Sequence, residues 1–122
     1  MGAARSARSR GTTSGRYGST IMASNRLEIL KGMAAANPNE IFPRYGLAME
    51  YRNAGDLEGA VREFRALMAV HPEYGASYLP AGQTLEELGQ LEEARAVYRQ
   101  GIEVTTRSGD DHARAKLEDA LR

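Results

Sequence analysis

The side chains best suited to chemistry in this 122-residue chain are two histidines and four clustered glutamates. His112 stands beside Asp110 and Asp111, and His71 precedes Pro72. Glu86 and Glu87 lie on one side of Gly89, Glu92 and Glu93 on the other. Paired carboxylates can divide acid and base roles, and a histidine beside two aspartates offers metal ligands. The spacing supports neither use. A zinc-type site needs three or four ligands converging on one point. His71 falls at an expected helix end, where cationic character complements the dipole. Glutamates at exposed helix ends ordinarily form solvated faces. The sequence contains no cysteine, so it has no thiolate nucleophile, disulfide framework or cysteine-bound zinc. It also lacks a glycine-rich phosphate loop and a nucleophile at a recognisable spacing from a base. The reading is a non-enzyme with no cofactor and no metal.

The elements that would position any site announce themselves by repetition. Residues 51–72 laid 34 positions forward put Gly55 on Gly89, Leu57 on Leu91, Ala60 on Ala94 and Phe64 on Tyr98. A 34-residue period in helix-forming sequence marks an array of helix pairs. Gly55 and Gly89 fall between periodic segments, where a helix must end in the left-handed conformation that glycine reaches without strain. Ala60 and Ala94 mark the close approach of antiparallel helices, and Phe64 and Tyr98 fill the space one turn on. Leu47, Ala48 and Tyr51, echoed by Ala81, Gly82 and Leu85, form the apolar stripe of the helix ahead of each turn. Helices are expected over residues 24–36, 40–53, 57–70, 76–88, 91–105 and 113–121. Ser24 or Asn25 is expected to cap the first, Ser77 the fourth, and Asp110 or Asp111 the last. Pro43 must sit in or near a first turn, where a missing N–H costs little, and so does Pro80 if Ser77 caps its helix; a start at Glu73 or Tyr74 would make Pro80 a kink. Glu40 and Arg44 have the spacing of an i,i+4 ion pair.

Together, L-A-x-x-Y before Gly55-Asp56, then Ala60, Phe64, Leu67 and Pro72, resemble the tetratricopeptide repeat family over two repeats, residues 41–74 and 75–108. The resemblance implies an all-α solenoid of about six helices and a role in protein–protein interaction, as adaptor or scaffold. Tyr78 fits the family's large apolar position in the second repeat, whereas Arg44 stands there in the first, and Thr106 replaces the proline that Pro72 supplies. By the same resemblance the first helix of each pair lines a concave groove. That side would carry Phe42, Tyr45, Met49, Arg52 and Asn53, then Ala76, Leu79, Gln83, Glu86 and Glu87, and would receive a peptide or amphipathic helix of a partner. Phe42 and Tyr45 have a competing use as packing against the preceding helix. The family's basic clamp for a terminal carboxylate is not expected, because Tyr45, Met49 and Pro80 occupy its places.

The remaining sequence frames the array. Residues 24–36, with Leu27, Leu30 and Met33 on one face, precede Asn37-Pro38 by the spacing that puts His71-Pro72 after residues 57–70. They read as the second helix of a pair whose first helix is missing, with Ile29 on the uncovered side. That side invites a cap from Tyr17 and Ile21, a homodimer, or head-to-tail stacking of copies. Residues 110–122 read as a polar closing helix. Residues 1–21 carry four arginines and no acid, against 12 basic and 16 acidic groups in the rest. Their composition predicts a disordered basic tail ahead of a domain at 22–122, with Met22 a candidate start. An arginine arm for nucleic acid, a transit peptide and a myristoylation signal at Gly2 are weaker readings of the same stretch. No run of apolar residues reaches the ~20 needed to span a bilayer. The absence of cysteine fits a cytoplasmic protein.

Overall fold

A computed structural model describes the backbone of residues 14–122 and the side chains of residues 25–122. The chain is all α: α1 (Ser14–Ala36), α2 (Ile41–Asn53), α3 (Leu57–Val70), a single 3-10 turn (Gly75–Ser77), α4 (Tyr78–Glu87), α5 (Leu91–Ser108) and α6 (Asp111–Leu121). Sequential helices pack on one another, and α2 with α3 and α4 with α5 form the two complete pairs. Among the described residues there is no strand, and no helix is long and apolar enough to cross a membrane.

Three turns share one geometry. Gly55, Gly89 and Gly109 have φ of 88°, 81° and 77°, and each ends its helix in the left-handed region. In each, the N–H of the residue after the glycine donates to a carbonyl five residues back: Asp56 to Tyr51, Gln90 to Leu85 and Asp110 to Thr105, all at 2.9 Å. These bonds satisfy carbonyls that a helix end otherwise leaves open. The next helix then starts at once, so successive helices run antiparallel and stack.

The interior runs along both pairs. Leu47, Ala48, Ala60, Phe64, Tyr78, Ala94 and Tyr98 are all buried, and the three alanines are fully excluded from solvent. Tyr51 is half-buried, with the cations of Lys31 and Arg62 6.0 and 5.7 Å from its ring centre. Gly82 and Gly101 exist for the aromatics opposite them. A Cβ on Gly82 would collide with the Tyr98 ring, and one on Gly101 would stand 2.6 Å from the Cβ of Tyr78. Tyr78 donates to the carbonyl of Pro72 at 2.6 Å, and Tyr98 donates to Glu86 at 2.9 Å. Burial and the neighbouring carboxylate push the Tyr98 phenol far up, so it stays a neutral donor.

Several local expectations change. α1 begins at Ser14, so it runs through residues 24 and 25, neither of which caps it, and it takes in residues 14–21 of the expected tail. Once a helix is nucleated, each further residue adds a backbone bond, so polar composition alone does not stop it. Residues 1–13, with the arginine-arm, transit and myristoylation readings they share in, lie outside the described residues, as do the side chains of Tyr17 and Ile21 proposed as a cap. Glu40 and Arg44 do not pair. Arg44 turns inward to Glu63 at 3.1 Å and to the carbonyl of Pro38 at 3.3 Å, because a partner on the facing helix is less solvated than one along its own. Ser77 precedes α4, but its hydroxyl donates back to the carbonyl of Tyr74 at 3.0 Å and caps nothing. Pro43 and Pro80 are each the third residue of their helices. Of the two aspartates, Asp110 is the cap of α6, accepting from Ala113 N–H at 3.1 Å.

Candidate functional site

A cleft of about 370 Å³ opens between α2, α4 and α6. Tyr45, Met49 and Arg52 form the α2 wall; Gly75, Ala76, Leu79, Pro80 and Gln83 form the floor; Asp110, His112, Ala113, Lys116 and Leu117 form the α6 wall. Their positions follow from the 34-residue register. Tyr45, Leu79 and Ala113 are successive equivalents, and so are Met49, Gln83 and Leu117. Equivalent positions on stacked helices share a face. α6 therefore occupies the register of the first helix of a pair. Adding 34 to Leu79 and Gln83 locates the α6 wall from sequence alone, a step the expected groove omitted.

Of the expected groove residues, Tyr45, Met49, Arg52, Ala76, Leu79 and Gln83 line this cleft. Phe42 does not; it is 68% exposed near the start of α2. Asn53 closes α2 in solvent. Glu86 is held by the Tyr98 hydroxyl, and Glu87 by Arg52 at 3.0 Å. Phe42, Asn53, Glu86 and Glu87 are thus removed from the lining, because the groove narrows onto the side of α4 that faces both α2 and α6.

Arg52 is a strut across the cleft edge. Its guanidinium donates to Gln83 at 3.3 Å and to Glu87 at 3.0 Å, tying α2 to α4. Tyr45 is anchored from below: its ring meets Phe64 edge-on at 6.1 Å and Tyr74 at 5.8 Å. Burial raises the Tyr45 phenol above its ordinary value. Tyr45 therefore lines the cleft while packing on Phe64 of α3 and on Tyr74. At the opposite rim, Asp110, His112 and Lys116 bring an acid, a titratable base and a cation to the water-exposed edge. The surface offers a graded site: aromatic and thioether on the α2 side, aliphatic at the floor, mixed charge on the α6 side. Such a lining holds side chains by contact and orients them by a few polar groups.

The other titratable candidates stand apart from it. His71 ends α3, with Nε2 at the Asn39 carbonyl and Nδ1 3.4 Å from Glu73. The backbone carbonyl of Asn39 raises its affinity for a proton most, burial opposes this, and Glu73 adds to the rise. Glu93 meets Arg65 at 3.4 Å between α3 and α5. Among the described residues no three His, Cys, Asp or Glu side chains converge as a metal site.

The sequence profile of the tetratricopeptide repeat matches residues 51–117. A TPR repeat-containing protein of Pseudomonas aeruginosa, PA0015, is 29% identical over 96 residues, covering 79% of this chain and 91% of that protein. Among solved structures, a mutant of MamA superposes with a TM-score of 0.59 at 21% identity, over 70% of this chain and 69% of its own. The helix pairs, their glycine turns and alanine contacts and these likenesses agree: the chain belongs to the tetratricopeptide repeat family.

Proposed function

We propose that the α2–α4–α6 cleft binds a segment of another protein, an extended peptide or one face of an amphipathic helix, and that the chain acts as a small adaptor. The family generally serves as interaction modules rather than enzymes, and the reading rests on one observation: three helices in the same register converge on a cleft with apolar floor and polar rim. An apolar side chain of the ligand enters between Tyr45, Met49 and Leu79. Polar groups next to it meet Gln83 and Lys116. An interface of this size falls below ~1,200 Å² and predicts micromolar affinity. The cysteine-free composition fits a reducing compartment such as the cytoplasm.

The test is selection from a displayed random-peptide library on the full chain, followed by titration of the recovered peptides. Met49→Gln with Lys116→Glu is expected to weaken binding at least tenfold while circular dichroism and thermal midpoint stay close to the parent. Equal affinity for parent and variant would remove the cleft as the site. Tyr45 is a poor probe, since its contacts with Phe64 and Tyr74 make its truncation a folding defect as well.

A further inference from the structure

The outer face of α1 is built for close approach by another helix, and we propose that this helix is α1 of a second copy of the chain, paired antiparallel about a two-fold axis beside Gly32. Asn25, Ile29, Gly32, Met33 and Ala36 recur at the three- and four-residue spacings of one helix face. The opposite face, with Leu30 and Ala34, packs on α2. Ile29 is 61% exposed and Met33 38%. Adding 34 and 68 to these numbers gives Glu63 and Val97 for Ile29, and Leu67 and Gly101 for Met33. Each of those is covered in its own pair, whereas among the described residues no helix covers this side of α1.

Gly32 supplies an independent observation. A glycine inside a helix is unfavourable relative to alanine. Cβ atoms on Gly46, Gly59, Gly82 and Gly101 would each meet a neighbour at 3.1 Å or less, so each of those glycines lies against another part of the fold. A Cβ on Gly32 would meet no atom within 4 Å. Nothing described in the fold uses this glycine, and close approach by a helix from outside would.

Three features select a second copy as the occupant. The stripe carries no charge, so neither an acidic nor a basic partner finds a countercharge on it. An antiparallel pairing sets Met33 on Gly32 of the second copy and Ile29 on its Ala36, large on small in both halves. The other candidates fail by composition. Residues 1–13 have Met1 as their only large apolar side chain. Head-to-tail stacking would bring the open side of α6, with Asp111, His112, Lys116 and Asp119, against Ile29 and Met33.

Sedimentation velocity on the full chain across a dilution series tests this. The expected result is a reversible dimer of twice 13.3 kDa that dissociates in the micromolar range. Gly32→Ala separates the dimer from the fold. It should raise the dissociation constant at least tenfold while raising the monomer's thermal midpoint by ~4 °C, since open space surrounds the added methyl. Ile29→Glu should give a monomer with unchanged helix content. A concentration-independent monomer of the parent chain overturns the proposal, and so does a dimer that both substitutions leave intact.

Discussion

Arg44 and Glu63 meet at 3.1 Å in the first helix pair; 34 residues on, the same two positions hold Tyr78 and Val97, both buried. The neighbouring register position changes with them, from Leu67 to Gly101, and the Gly101 backbone makes room for the Tyr78 side chain. One architecture is thus filled in two ways. The first pair uses a half-buried ion pair over a leucine, the second an aromatic over a glycine. The comparison teaches that one backbone arrangement accepts different side-chain sizes and chemistry at the same register positions when a neighbouring position compensates, as Gly101 does for Tyr78. It also predicts that the two solutions fail differently.

The second pair should be the more brittle. A Cβ on Gly101 would stand 2.6 Å from the Cβ of Tyr78 and 3.0 Å from a Leu117 methyl, and a Cβ cannot withdraw without its backbone. Gly101→Ala is expected to cost ~2–3 kcal/mol, at the upper end of overpacking, and Gly101→Leu, copying the first pair, should cost more. The opposite change in the first pair, Leu67→Ala, removes volume and should cost ~2–4 kcal/mol through the cavity it leaves. Urea unfolding measures all three. A Gly101→Ala variant as stable as the parent would mean that the Tyr78 contact yields, and the contrast between the pairs would disappear.

The ion pair makes the next largest difference. Side-chain exposure of Arg44 and Glu63 is 20% and 13%, and the Arg44 Nε is buried with no partner among the described residues. Glu63→Val, the residue of the second pair, strands the guanidinium with the Pro38 carbonyl and should cost ~1–3 kcal/mol, below the range for fully buried pairs because water still reaches it. Arg44→Met with Glu63→Val should recover stability to within ~1 kcal/mol of the parent, since a well-packed apolar replacement avoids desolvating two charges. A double variant as unstable as Glu63→Val alone would show that the pair does more than fill space.

These positions also mark where sequence reasoning reached and stopped. Gly55, Gly89, Ala60 and Ala94 were legible because turn dihedrals and close helix contacts each admit few residue types, and the same types recur 34 residues apart. α3 was legible to the residue, since glycine, an aspartate cap and a proline bracket it. Arg44 was misread because its spacing to Glu40 pointed along the helix, whereas its partner lies on another helix at a position that is apolar in the second repeat. The start of α1 was missed because residues 14–20 are polar and glycine-containing and carry no apolar helical periodicity. The cleft was half legible. Its α2 and α4 walls follow from the family's groove, but α6 resembles a solvated cap in composition, and its role appears only when the register is carried through a third time. Glu86 and Glu87 looked free in sequence and are engaged in space by Tyr98 and Arg52.

The smallest contrast between the pairs lies at the start of their second helices. Asp56 caps α3 by accepting from Gly59 N–H at 2.9 Å, whereas Gln90 precedes α5 with no side-chain cap. The backbone is already suited to a cap at both places: φ and ψ are −86° and 79° at Asp56, and −92° and 72° at Gln90. Asp110, at −86° and 81°, caps α6 although Ala113 presents a Cβ where the first pair has Gly59. A side chain at Glu93 is therefore no obstacle, and Gln90→Asp followed by that glutamate would complete a capping box. The substitution should add ~0.5–1 kcal/mol, close to what Asp56→Ala removes, as read from paired thermal melts. If Gln90→Asp left the melting temperature unchanged while Asp56→Ala lowered it, the difference between the pairs would reside in how tightly α5 is held by its neighbours, because a helix fixed at its middle by Tyr98 and Gly101 gains little from an ordered first turn.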